Sequence, residues 1–68
     1  MHKIKPSQRI EGHLSQFEQE SDKWDIITRD EQALWFTGYT RAMQDLGHIT
    51  KEKKEQYDSE AFSYLRLT

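Results

Sequence analysis

The apolar residues of this chain fall into three blocks with helical spacing, separated by residues that end or start helices. Ile10, Leu14, Phe17 and Trp24 lie within about 80° of one another at 100° per residue, and Ser21 shares their stripe. Pro6 disfavours helix at Lys5 but suits a first helical turn, and Ser7 is a candidate N-cap. The pattern predicts a first helix over 7–23. Asp25-Ile26-Ile27 then breaks the stripe. A strand there would have no second strand to pair with.

Thr28 followed by Glu31 matches a capping box, and Asp30 and Glu31 both suit the positive end of a helix. The second helix is therefore expected from Thr28 to Leu46. Gly47 supplies the left-handed residue that ends it. Thr50 caps a third helix over 51–66, whose stripe is Tyr57, Ala61 and Tyr64, widened by Phe62 and Leu65. The fold class expected is all-α: a small three-helix domain, with helices 2 and 3 as an antiparallel hairpin and helix 1 packed across them. Residues 1–6 read as a flexible basic tail and 7–68 as a single helical domain.

Helix 2 makes the largest demand. Leu34, Trp35, Phe36, Tyr39, Ala42, Met43 and Leu46 cover about 200° of its circumference, roughly twice the arc an ordinary surface helix buries. Two arrangements satisfy it. Helix 2 sits in the middle of the domain, covered on two sides, or part of its arc stays exposed as a partner or dimer surface. Gly38 falls inside the arc, four residues before Ala42. A mid-helix glycine costs about 1 kcal/mol relative to alanine, so it is expected to mark a close approach of another helix.

Composition narrows the function classes. At 68 residues the chain makes one small domain with a modest core. Apolar residues are 34% and charged residues 32%, a balance that borders on disorder. Two Trp, three Phe and three Tyr argue for a folded centre, since each large apolar side chain buried is worth about 1.5–3 kcal/mol. The net charge of −2 hides a gradient, from Lys3, Lys5 and Arg9 in the tail to Glu11, Glu18, Glu20 and Asp22 in helix 1. That acidic face is compatible with mimicry of DNA phosphates, and equally with an ordinary solvated surface. Cysteine is absent, so disulfides and thiolate chemistry are excluded and a reducing cytoplasm suits the chain. There is no run of 18 apolar residues and no signal-peptide core.

Catalytic patterns are missing. His2, His13 and His48 lack metal-ligand spacing, no serine has a Gly-flanked elbow, and no Gly-rich loop could cradle a phosphate. The expectation is a non-enzymatic protein without a cofactor. The turn Leu46-Gly47-His48-Ile49-Thr50 invites a DNA-binding helix-turn-helix reading. However, Met43, His48 and Lys53 stand where that motif wants a small residue and two apolar ones. Glu52 and Glu55 also dilute Lys51, Lys53 and Lys54.

With Gly47, Ile49, Thr50 and Glu52 in the order Gly-x-Ile-Thr-x-Glu after an apolar helix, the stretch 43–54 resembles the SHOCT module, a short bacterial helical domain. Lys54 departs from it, standing where that family usually has an aromatic residue. The resemblance implies a helical hairpin and carries no activity. In size and style the chain is also similar to small phage- and plasmid-borne bacterial proteins.

The function expected is a small cytoplasmic protein–protein interaction module, an accessory, regulator or inhibitor, bacterial or phage-encoded. Trp35, Phe36, Tyr39 and Met43 are the candidate contact residues, because aromatic side chains make typical binding anchors. Its partner would be another protein, a second copy of the chain included. The alternative is a DNA-associated regulator that binds nucleic acid through Lys3, Lys5, Lys51 and Lys54.

Overall fold

The computed structural model describes residues 5–67, which form three α-helices and no strand: α1 (Pro6–Glu20), α2 (Ile26–Asp45) and α3 (Lys51–Tyr64), with a single 3-10 turn at Ser21–Lys23. The all-α three-helix class is as expected; two of the three helix starts are not. Helix α1 begins at Pro6, behind an extended Lys5 (φ −66°, ψ 147°), rather than behind a Ser7 cap. Proline pre-sets the φ of a first turn and pushes the residue before it out of helix, which moves the start back. The Lys5 N–H is satisfied by the Gln8 Oε1 at 3.1 Å.

Helix α2 starts before Thr28. The Asp25 carboxylate accepts from the Thr28 N–H at 2.7 Å, so Asp25 is the cap and Thr28 lies in the first turn. An ionised carboxylate is a stronger acceptor than a hydroxyl and also favours the positive helix end. The Thr28/Glu31 capping box is thereby corrected. Thr50 does cap α3, accepting from the Lys53 N–H at 3.1 Å.

Helices α2 and α3 end in the same way. Gly47 (φ +79°) donates to the Gln44 carbonyl and His48 to the Met43 carbonyl, both at 2.9 Å. Arg66 (φ +59°) and Leu67 repeat the pair on Ser63 and Phe62, at 3.1 and 3.0 Å. This is the Schellman arrangement, which satisfies carbonyls left open at a helix end. The first uses the glycine it prefers; the second forces an arginine into a left-handed conformation, against its Cβ.

The topology is up-down-up. Arg29 meets the Leu65 carbonyl and Thr40 meets Asp58, so α2 and α3 are antiparallel. Phe17 meets Phe36 edge-on with ring centroids 5.4 Å apart, and His13 meets Tyr39 edge-on at 5.4 Å, so α1 and α2 are also antiparallel. Helix α3 packs closely on both others, whereas α1 and α2 approach each other mainly through these long side chains. The middle position expected for helix 2 belongs to α3. Its slim Ala61 face admits neighbours on either side, while the bulky rings between α1 and α2 hold those two apart.

The core is Ile10, Leu14 and Phe17 from α1, Ala33 and Phe36 from α2, and Tyr57, Ala61 and Leu65 from α3 and its end. Two polar residues are buried with it, Ser21 and Thr40. The Ser21 N–H is used by the Phe17 carbonyl. Thr40 donates to Asp58, which Lys54 also contacts, so the one polar side chain deep on the α2 face is satisfied from α3. Arg29 turns inward, its Nη1 reaching the Leu65 carbonyl at 3.4 Å while its buried Nε has no protein partner.

Candidate protein-interaction surface

Which side of α2 faces water follows from which side is buried. Ala33, Phe36 and Thr40 are its buried positions, spaced i, i+3, i+7 along one stripe. Leu34 and Gly38 are each two residues from Phe36, which places them about 160° around the helix. They therefore point away from the core, and so do Ile27 and Ala42; Leu46, at the C-cap, lies on the flank about 80° from Phe36. Exposure bears this out: Ile26 52%, Ile27 66%, Leu34 75%, Trp35 47% and Leu46 68%. These are the exposed large hydrophobic residues among the described ones, and all lie on α2 or at its C-cap.

The four contact residues expected from sequence divide. Phe36 is wholly buried and belongs to the core, which corrects its placement on a contact surface. Tyr39 and Met43 are half-buried and pack against that core. Trp35 remains accessible at the border, where it meets His13 edge-on (4.8 Å) and Tyr39 (5.3 Å). Burial in this cluster holds the His13 pKa below its usual value, with nearby Arg9 adding to the effect.

Gly38 is exposed, and a Cβ added to it would meet nothing within 4 Å. No helix of the same molecule approaches it, so close packing at Gly38 within the monomer is also corrected. Instead Gly38 faces solvent with open space beyond its Cα. Beside Leu34 an open groove of ≈ 360 Å³, bordered by Ala33, Phe62 and Leu67 with Asp30 at its rim, extends the apolar surface toward α3. Charged residues flank the stripe. Asp30 and Glu31 lie near its N-terminal end, and Arg41, paired with Asp45 at 3.6 Å, near the other.

The lysines proposed for nucleic acid are not equivalent. Lys3 lies outside the described residues. Lys5 and Lys51 are exposed at the starts of the parallel helices α1 and α3. Lys54 is largely covered (side chain 19% exposed) and held by Asp58, so it belongs to the internal polar cluster.

Sequence reasoning missed Ile27, Leu34 and Leu46 as the most exposed apolar positions. The available signal was the excessive width of the arc, which the register of Ala33, Phe36 and Thr40 divides into an inner and an outer half. Among the described residues no group of three or more His, Asp or Glu is placed to hold a metal ion, and no helix is long and apolar enough to cross a membrane. No family model matches the chain, and neither a curated protein nor a solved structure does.

Proposed function

We propose that this protein is a non-enzymatic protein–protein interaction module acting in the cytoplasm, an accessory, regulator or inhibitor of the kind small bacterial and phage proteins supply. Its contact surface is the outer face of α2: Ile27, Leu34, Trp35, Gly38, Ala42 and Leu46. The observation that carries this reading is that, among the described residues, the exposed large hydrophobic side chains all lie on α2 or at its C-cap. Leaving them partly in water forgoes a share of the roughly 1.5–3 kcal/mol that full burial of each would supply. Scattered exposed leucines need no explanation, whereas a contiguous stripe of them marks a site of association.

A nucleic-acid surface has less support. Lys54 is engaged internally, and Lys51 is interspersed with Glu52 and Glu55.

The test is capture from the native host with the intact protein and with a Leu34→Glu/Leu46→Glu variant. Both positions are exposed, so the variant keeps its fold by circular dichroism. A specific partner retained by the first and lost by the second supports the reading. Identical retention by both refutes it.

A further inference from the structure

We infer that the chain forms a two-fold homodimer in which the α2 helices pack antiparallel, crossing at the level of Phe36 with Gly38 of each copy facing Leu34 of the other. This inference rests on the contact surface proposed above and identifies its partner.

Three observations carry it. First, the exposed positions 27, 31, 34, 35, 38, 41, 42, 45 and 46 follow the alternating three- and four-residue spacing that keeps one face of a helix toward another helix. At 20 residues α2 is about 30 Å long, close to the 34 Å longest dimension of the domain, so a paired α2 contact spans the molecule.

Second, Gly38 has open space outside it and lies near the middle of the stripe. In an antiparallel pair centred on the level of Phe36, Leu34 of each copy falls opposite Gly38 of the other. A large side chain then meets the gap left by a missing one, twice by symmetry. The same register brings Ile27 toward the Asp45–Leu46 end of the second copy.

Third, the charges are complementary only in this direction. Glu31 of one copy comes level with Arg41 of the other, and the reverse contact repeats it. Arg41 is committed only to an exposed ion pair with Asp45, both side chains being well over half exposed. The fold extends this polarity beyond α2. The end where α1 stops and α2 begins is predominantly acidic, with Glu18, Glu20, Asp22, Asp25, Asp30 and Glu31 against Lys23, Arg29 and Arg66, the last paired with Asp22. The other end carries Lys5, Arg9, Arg41, Lys51 and Lys53, interspersed with Asp45, Glu52 and Glu55. A parallel pair would set acidic end on acidic end. An antiparallel pair sets acid on the mixed, base-containing end and places the helix dipoles antiparallel, opposite ends side by side.

The experiment is sedimentation or light scattering on the intact protein from about 1 µM to about 1 mM, with helicity as the control for folding. The expected mass rises with concentration from 8.2 kDa to twice that value. Glu31→Arg and Arg41→Glu each weaken association about tenfold by placing like charges together, and the double reversal restores it. Because the chain has no cysteine, an added one reports direction without interference. Glu31→Cys cross-links with Arg41→Cys in a mixture faster than either cross-links with itself.

A folded wild type that stays at 8.2 kDa throughout overturns the inference, and so does failure of the double reversal to restore pairing. Faster cross-linking of Glu31→Cys with itself overturns the antiparallel direction. A monomer that still captures a partner through Leu34 and Leu46 leaves the interaction-module reading standing while removing self-pairing. Loss of both removes the surface altogether.

Discussion

The Thr40 hydroxyl lies 2.7 Å from the Asp58 carboxylate and donates a hydrogen bond to it, joining α2 to α3 through the one polar side chain buried on the α2 face. Lys54 holds the other carboxylate oxygen from one helical turn away. Thr40→Val keeps the shape and removes the donor, so it is expected to destabilise the fold by about 1.5–3 kcal/mol, the range for a hydrogen bond to a charged group. Urea denaturation measures this. A change below about 0.5 kcal/mol would show that the contact is solvent-replaceable.

Phe36 and Leu34 differ by two positions and should differ greatly in effect. Phe36→Ala opens a cavity under Phe17 and is expected to cost about 3–5 kcal/mol, enough to unfold a domain of this size. Leu34→Ala, three-quarters exposed, should change monomer stability by no more than about 0.5 kcal/mol. Thermal melts in dilute solution separate the two; equal effects would mean that the inner and outer faces of α2 are misassigned.

Gly38 and Gly47 make a second contrast. Gly38 is in ordinary helix with room beyond its Cα, so Gly38→Ala should stabilise the monomer by up to about 1 kcal/mol. Gly47 has φ +79°, where a Cβ is strained, so Gly47→Ala should destabilise by about 1 kcal/mol. Both shifts are read from the midpoint of denaturation, and opposite signs are required.

His13 confers a pH dependence whose sign follows from its depressed pKa. Its causes are burial first and Arg9 second. The unfolded chain binds the proton more readily, so the contribution of neutral His13 is fully present above its ordinary value of 6.5 and is lost as pH falls from there through the lowered folded value. Folding stability should decline over that interval in the wild type and decline less in His13→Gln. Direct titration of the imidazole by NMR should give a value below 6.5. An elevated value would show that attraction of the imidazolium to the Trp35 and Tyr39 rings outweighs burial.

Asp25 gives the corresponding case for a carboxylate. The Thr28 backbone hydrogen bond, followed by that from the Thr28 side chain, holds its pKa below 3.8, with Arg29 adding a smaller pull. Its contribution is present above 3.8 and lost as pH falls through the lowered value. Asp25→Ala should fray the first turn of α2 and lower the melting temperature, while Thr28→Ala should leave the start of the helix intact. Amide exchange at Thr28 and Arg29 tests this locally.

The chain announces its helices more clearly than their neighbours. Pro6, Gly47 and Thr50 mark their places because each acts through local backbone chemistry, and the stripe of Ile10, Leu14 and Phe17 is buried as its spacing predicts. The cap at Asp25 was obscured because Thr28 and Glu31 form a valid signal of their own three residues later. The stop at Arg66 was hidden because nothing in an arginine advertises a left-handed conformation. Tertiary burial alone decides Thr40, which is polar by type yet turned inward by the register of Ala33 and Phe36. The same cause hid the contact surface. Trp35 and Phe36 are adjacent and equally apolar, and only the position of α3 sends one into the core and leaves the other at its edge.

The position of α3 between the other two helices also bears on how the chain is made. Synthesis delivers α1 first, then α2, and the element that packs closely on both arrives last of the three. Until Tyr57, Ala61 and Leu65 have emerged from the ribosome, Ile10, Phe17 and Phe36 have no completed core to enter. Until then the inner face of α2 lacks its cover, and the outer face stays exposed in the finished monomer. The order of the helices therefore sets how long the inner face of α2 waits for its cover.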